Sequence, residues 1–427
     1  MAAPGKMNVL FFAVDDLNNH VGTYGHPVKS PNIDALATSG VRFDRAYCQY
    51  PLCNPSRTSL LTGMRPPRTH VTGNVTWFRE AMPDVVTLPQ HFRENGYYTA
   101  MSGKIFHDGL NDDKGWVDGS TPLQKRTPRP QAVYAAGADR WQAVDSEEDQ
   151  LDYRIATEAI EHLEKRPQSQ PFFIACGFHK PHVPFVAPKK YFDLYNPDDV
   201  QLPKDFAGMP TGTGPAYRAN FDLFVNREAT VPLAHEAIRA YHACTSFTDA
   251  QVGRVLAALD RLHLRDNTAI VLIADHGWHL GEKGMWAKLT LFEPSARVPL
   301  IISAPRMAAG KGCMRTVESL DVYPTLADLC GLKAPAVLEG KSLRPLLEDP
   351  AHPWDRPAYS FLHRGPGNGA SGVSVRTEQY RYTEWDGGRS GAELYDYDKD
   401  PTESRNLAAE SAQASTVKKM KELLRSA

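Results

Sequence analysis

The 427-residue sequence contains no apolar run near the roughly 20 residues that a membrane-spanning helix needs. No membrane partner is expected from it. It also lacks an excess of either charge: 48 Lys and Arg face 50 Asp and Glu, a net charge of −2. Without a broad basic field no nucleic-acid partner is expected, and any anion site has to be local. Cysteines number six (Cys48, Cys53, Cys176, Cys244, Cys313, Cys330), none in C-x-x-C spacing. This excludes a cysteine-built metal site and the disulfide framework of small secreted domains. No internal repeat or low-complexity tract divides the chain, and its composition sets no oligomeric state. A charged, apolar-cored leader is missing as well. The opening Met1-Ala2-Ala3-Pro4-Gly5-Lys6 reads as a mature terminus behind a small-residue cleavage site, with Met1 added. The expectation is a periplasmic or secreted protein whose leader has been removed, with a cytoplasmic one as the alternative.

What is present is the balance of a packed protein, 42% hydrophobic and 23% charged. Near-continuous apolar runs at residues 8–14, 97–101, 171–176, 269–274 and 298–303 predict strands buried on both faces, as in parallel sheets. Between them Leu151, Ile155, Ala159 and Leu163 share one helical face, and so do Val252, Val255, Leu256, Leu259 and Leu262. Strands alternating with helices predict an α/β fold with a large, mostly parallel sheet flanked by helices. Residues 119–148 and 196–232 are polar and proline-containing. They read as long excursions, either pocket walls or surface insertions. After Gly331 the character changes. Short strand-like pieces at 372–376, 380–384 and 392–397 surround the turn signal Asp386-Gly387-Gly388, and a helix follows over 414–424. The chain is therefore divided into a main domain, residues 1–350, and a small antiparallel C-terminal subdomain with one helix, residues 351–427.

Acidic pairs stand at two of the predicted strand ends. Asp15-Asp16 follows the first strand and Asp275-His276 follows residues 269–274. Ligand sites in open α/β sheets lie beyond the carboxyl ends of strands, so the two pairs can meet. Three carboxylates stay ionised together only beside a cation. Oxygen donors favour Ca²⁺ or Mg²⁺, while the imidazole of His276 admits Mn²⁺ or Zn²⁺. Cys53 opens the run Cys53-Asn54-Pro55-Ser56-Arg57. Arg57 lies one helical turn later, on the same face, and a helix starting near Pro55 would aim its positive end at an anion. Each of these features alone is more often packing or a surface cap. Their conjunction is what argues for a site.

The Cys53 run, followed by Leu60-Leu61-Thr62-Gly63, resembles the signature of type I sulfatases of the alkaline phosphatase superfamily. The likeness extends through Val14-Asp15-Asp16-Leu17, Gly103-Lys104-Ile105-Phe106-His107 and Gly177-Phe178-His179-Lys180-Pro181-His182. It continues in Asp275-His276-Gly277-Trp278 and Trp286-Ala287-Lys288, and covers nearly the whole chain. The Asp-His metal pair and the spacing of Lys104 and His107 favour the iduronate-2-sulfatase branch. The resemblance implies that Cys53 is oxidised to formylglycine by a maturation enzyme, and that Asp15, Asp16, Asp275, His276 and the modified Cys53 bind Ca²⁺. It further implies that Arg57 holds the formylglycine hydrate, that Lys104 and Lys288 bind sulfate oxygens, that His107 serves the hydrate and that His182 faces the leaving group. The substrate so implied is a sulfated carbohydrate or a small sulfate ester. Trp77, Arg79, Trp278 and His279 are candidate substrate contacts, since aromatic faces suit sugar rings and arginine suits carboxylates. His179 is open between metal-site neighbour, substrate contact and support. The alternatives are a phosphonate monoester or phosphodiester hydrolase of the same superfamily, and an inactive homologue that binds sulfated glycans.

Overall fold

The computed structural model describes residues 6–118, 138–212, 214–218, 222–224, 227–365 and 369–426. Among them the chain forms fifteen strands, numbered β1 to β15 in chain order. Seven make the main sheet: β1 (Asn8–Val14), β2 (Val41–Tyr47), β3 (Tyr98–Gly103), β5 (Phe172–Phe178), β7 (Thr268–Ala274), β10 (Arg297–Ser303) and β11 (Lys311–Glu318). Their spatial order is β11-β2-β10-β7-β1-β5-β3. All residues of β1, β5 and β7 are buried, which is why their sequences are apolar without alternation. Removing each Val, Leu or Ile side chain from water contributes about 1.5–3 kcal/mol.

Direction decides where the chemistry can sit. The strands β7, β1, β5 and β3 are mutually parallel. The strand β10 is antiparallel to both β7 and β2, so β2 points the same way as β7. The strand β11 is parallel to β2, so six strands end at one edge of the sheet. The expected mostly parallel α/β sheet is present, with β10 as its one reversed strand.

The helix Leu151–Lys165 packs on β3 and β5 through Ile155, Ala159 and Leu163. The helix Val231–Arg261 begins well before the apolar pattern at 252–262. Its first half buries Ala237, Ile238, Tyr241 and Cys244 in a second cluster with Phe185, Trp278 and Trp286. Two short ribbons border this cluster: β4 (Trp141–Val144) beside β6 (Phe185–Pro188), and β8 (His279–Leu280) beside β9 (Trp286–Ala287). Of the first predicted excursion, residues 119–137 lie outside the described residues, and the remainder supplies β4. The second holds a single-turn 3₁₀ helix, Pro197–Asp199, and a bridge from Phe206 to Glu282.

The C-terminal sheet has four antiparallel strands, β12 (Ala358–His363), β13 (Ser371–Arg376), β14 (Tyr380–Trp385) and β15 (Ala392–Asp396), covered by the helix Ala414–Leu424. The strand β12 is absent from the sequence expectation. It lies along the segment that leads to Cys53: Ser360 Oγ donates to the Cys48 carbonyl at 2.6 Å, and the Phe361 amide to the Gln49 carbonyl at 2.8 Å.

Candidate active site

Five of the six co-terminal strands each deliver a part of one site. Asp15-Asp16 follows β1, Asp275-His276 follows β7, Lys104 follows β3, and His179 to His182 follow β5. From β2 the chain runs through residues 48–52 into the helix Cys53–Thr62, which starts at Cys53 itself rather than near Pro55. The meeting of β3 and β5 is tight. A Cβ on Gly103 (φ +73°) would come within 2.3 Å of the Gly177 carbonyl, and one on Gly177 within 2.0 Å of the Lys104 carbonyl. Two glycines thus let Lys104 pass across the strand end.

Cys53 occupies the first turn of its helix and is 1% exposed. The N-cap residue Leu52 supplies no side-chain cap; the Asn54 amide in the first turn donates instead to Asn74 Oδ1 at 3.1 Å. The sulfur has Lys288 Nζ at 3.2 Å and His276 Nε2 at 3.3 Å. Burial and Asp15 push the thiol up, but Lys104, Lys288 and His276 outweigh them and hold it well below its ordinary value. The carbonyl of Gly277 accepts from His276 Nδ1 at 3.0 Å, which turns the Nε2 lone pair into the cluster. His182 is oriented likewise, with Nδ1 on the Val183 carbonyl at 2.6 Å and Nε2 3.7 Å from Asp16 Oδ2. Against the effect of burial, Asp16 raises His182 above the usual imidazole value. Its side chain is one-third exposed, so it stands at the mouth.

The cations are committed to carboxylates in a fixed pattern. Lys104 Nζ donates to Asp15 Oδ2 at 2.5 Å and Lys288 Nζ to Asp16 Oδ1 at 2.6 Å. Arg57 Nε donates to Asp275 Oδ2 at 2.8 Å, and Nη1 to the carbonyls of Lys104 and Ile105. Burial alone would raise all three carboxyls. Asp15 nonetheless falls well below its usual value under Lys104, His182 and Arg57. Asp16 stays up at about 6 and Asp275 is also raised, because burial prevails there.

Three buried polar atoms in this cluster have no hydrogen-bond partner: Asp15 Oδ1, Asp16 Oδ2 and Arg57 Nη2. Ligand atoms of Asp15, Cys53, Asp275 and His276 lie within 4.8 Å of one another, as do those of Asp16, Cys53 and His182. Unpartnered carboxylate oxygens, two raised carboxyls and an inward Nε2 fit a divalent cation, with the oxygen donors favouring Ca²⁺. Backbone strain is also present here. Asp16 (φ +62°), Ala287 (φ +75°) and Leu289 (φ +68°) are non-glycine residues in the left-handed region. Each costs about 1–3 kcal/mol and persists only where its surroundings enforce it.

His107 follows Lys104 on the same loop, with Nδ1 buried and unpartnered. His179 lies beside His182, and burial lowers it to about 3, keeping it neutral. Trp77 is half-buried and donates to the Asn111 carbonyl at 3.2 Å. Three expected substrate contacts are not brought to an open surface. The guanidinium of Arg79 is consumed by Asp112, Gln90 and the carbonyls of Pro83 and Val85, and the residue is 6% exposed. Trp278 is fully buried behind Lys288, whose Nζ is 5.5 Å from its ring. His279 is fully buried on Thr290 at 2.7 Å. These three are braces of the fold.

Sequence reasoning missed the supports. Asp152, near the start of the helix Leu151–Lys165, accepts from the amides of His179 and Lys180 at 2.9 and 2.7 Å and fixes the turn that carries His182. Tyr241 Oη donates to the Asp16 carbonyl at 2.8 Å. Neither had a local signal, because both act across the fold.

The geometry agrees with what the chain is similar to. The model of the family "Sulfatase" matches residues 7–332, and that of "N-sulphoglucosamine sulphohydrolase, C-terminal" matches residues 281–427. A "Sulfatase" of Formosa agariphila is 35% identical over 98% of this chain and 86% of its own length. The iduronate 2-sulfatase of Homo sapiens is 32% identical over 94% of this chain and 91% of its own. The phosphonate monoester hydrolase of Agrobacterium radiobacter superposes with a TM-score of 0.83 at 24% identity, covering 99% of this chain and 95% of that one, a likeness of fold alone. The chain belongs to the sulfatase family, on the alkaline phosphatase-like fold, and is a sulfuric ester hydrolase.

Proposed function

We propose that the protein hydrolyses the sulfate ester of a sulfated sugar, using formylglycine made from Cys53 by a maturation enzyme. The observation that carries this reading is the setting of Cys53: a buried sulfur between Lys288 and His276, beside carboxylate oxygens that have no partner. Asp15, Asp16, Asp275 and His276 would hold Ca²⁺ together with the converted Cys53. Bound there, the ion would supply positive charge for the sulfuryl oxygens, and the hydrated aldehyde would supply the attacking oxygen.

The chain's own residues do the rest. Lys104 and Lys288 bind sulfate oxygens, and their charge is fixed before the reaction, when it is most effective. Arg57 holds the side chain of residue 53 through Nη2, which makes no hydrogen bond within the protein. His182, with its Nδ1 proton on Val183 and its basicity raised by Asp16, carries a proton on Nε2 and gives it to the leaving alcohol. His107 accepts the proton of residue 53 that must leave as sulfate departs. His179 and Trp77 contact the rest of the substrate, the sugar that bears the sulfate.

The test is turnover, by protein co-produced with a formylglycine-generating enzyme, of an aryl sulfate, a sulfated disaccharide and an aryl phosphonate monoester side by side. Turnover of the sulfates well above the phosphonate is expected. A preference for the phosphonate by orders of magnitude would overturn the reading in favour of the phosphonate hydrolase. Glycan binding without turnover of any ester by converted protein would favour an inactive binder.

A further inference from the structure

Lys288 is held in an unusual way. It lies between two residues in the left-handed region, Ala287 and Leu289, so its backbone does not keep this path by itself. Two bonds on Leu289 fix it. The Leu289 amide donates to the Pro51 carbonyl at 3.2 Å, two residues before Cys53. The Leu289 carbonyl accepts from Arg364 Nη1. Arg364 belongs to the C-terminal subdomain, just past β12. Its other nitrogens are used in the same manner: Nε donates to the Pro215 carbonyl at 2.8 Å and Nη2 to the Ala216 carbonyl at 3.1 Å. One guanidinium thus joins three carbonyls from two loops, with no carboxylate among these partners.

That arrangement is costly for a cation. Burial, and the neighbouring Arg218, lower the Arg364 guanidinium to about 10, far below its ordinary value. A residue kept against such a cost needs a reason beyond surface solubility. The planar fork gives one, since only arginine can reach three carbonyls at fixed angles. The strand β12 meanwhile runs along the other side of the same site. Its Ser360, Phe361 and His363 bond Cys48, Gln49 and Tyr50, the residues that lead into Cys53. The subdomain therefore holds both the approach to Cys53 and the residue after Lys288, the two groups that stand 3.2 Å apart.

We propose that Arg364 is a positioning residue: through it the C-terminal subdomain holds Lys288 against residue 53. The proposal rests on the sulfatase reading for its kinetic consequence only; the placement of Lys288 is a structural claim of its own. Loss of the fork lets the strained segment relax, and Lys288 Nζ moves away from residue 53. A displacement near 1 Å costs about 100-fold in rate.

The experiment uses the full-length, converted protein with the substitutions Arg364→Ala, Arg364→Lys, Lys288→Ala and the double change Arg364→Ala with Lys288→Ala. Arg405→Ala, at an exposed arginine paired to Glu410, is the control. Arg364→Ala is expected to lower kcat about 100-fold. Arg364→Lys keeps the charge without the fork and is expected to fall nearly as far. The double variant is expected to match Lys288→Ala alone, because Arg364 acts through Lys288. Recovery of full activity by Arg364→Lys, or additive losses in the double variant, would overturn the proposal. If Arg364→Ala does not fold, Arg364→Lys and Arg364→Gln carry the test. A crystal structure of the variant reads the claim without activity. Lys288 displaced from residue 53 supports it, and Lys288 unmoved refutes it. Parent protein without sulfatase activity would instead count against the proposed function, and the crystal structure would still decide the role of Arg364.

Discussion

Arg57 and Arg381 are the two largest charged side chains that the fold buries completely, each 1% exposed. Their surroundings differ in one respect. Arg381 sits at the junction with the C-terminal sheet and spends every nitrogen on the protein. Nε binds Tyr397 at 2.8 Å and Glu403 at 2.9 Å, Nη1 binds the Leu291 carbonyl at 2.7 Å, and Nη2 binds Glu293. Arg57 Nη2 makes no hydrogen bond and only faces Asp15 Oδ1, itself without a hydrogen bond, as an ion pair at 3.7 Å. Buried charge in the first place is consumed by the fold, and in the second it is left over for a ligand. The carboxyls are mixed in both places. At the junction Glu293 is held down to about 2, its burial outweighed by Arg376 and Arg381, while burial lifts Glu403. In the site Asp15 is held down while burial lifts Asp16 to about 6. The junction supplies its own counter-charge, whereas the donor atoms gathered in the site fit a cation.

The comparison can be broken in order of effect. Cys53→Ala should remove activity by about 10⁴-fold or more, as loss of a nucleophile does, with little change in melting temperature. A residual rate within tenfold of the parent would remove Cys53 from the chemistry. Asp275→Asn should abolish Ca²⁺ binding in titration calorimetry and cost about 10³-fold in rate, a typical loss for a charge-stabilising group. Unchanged calcium affinity would remove Asp275 from the metal set.

The junction should answer in stability instead. Glu293→Gln leaves Arg381 and Arg376 without their shared carboxylate and should cost about 3–5 kcal/mol in urea unfolding. The kcat of the folded fraction should stay within threefold of the parent; a collapse of kcat without loss of stability would reverse the assignment of the two clusters. The smallest effect is in pH. The folded pKa of Glu293 is depressed to about 2, below the unfolded value of about 4.3. Its contribution is therefore present above about pH 4 and lost as pH falls towards about 2. Acid unfolding of the parent should be steeper in that window than that of Glu293→Gln. Parallel curves would show that Glu293 contributes nothing there.

Much of this was legible in the sequence, for a physical reason. Strands buried on both faces have no polar alternation, so β1, β5 and β7 stood out as apolar runs, and ligands at their carboxyl ends followed from the topology of open sheets. The acidic pairs and Cys53 were legible because their neighbours in sequence belong to the same site. What was not legible depends on pairing across the fold. Asp152, Tyr241 and Arg364 each act on backbone groups far away in sequence, and nothing local marks them. Arg79, Trp278 and His279 misled because aromatic and cationic side chains near a motif suit substrate and packing equally well. Only burial and partners separate the two. The strand β12 was hidden for a related reason: it follows a proline-rich connection and, besides pairing with β13, bonds residues 48–50.

The central claim is that Cys53 works as an aldehyde within a sulfate-ester site. Its most direct test is the mass of the peptide spanning Cys53, measured in the same preparations whose sulfate release is assayed, with the maturation enzyme supplied at graded levels. Conversion removes about 18 Da as the thiol is oxidised to the dehydrated aldehyde, and fragment sequencing places the change at residue 53. The account predicts that sulfate release rises in proportion to the converted fraction and extrapolates to nearly zero for unconverted protein. Activity independent of that fraction, or fully converted protein that releases no sulfate from any ester, would contradict it.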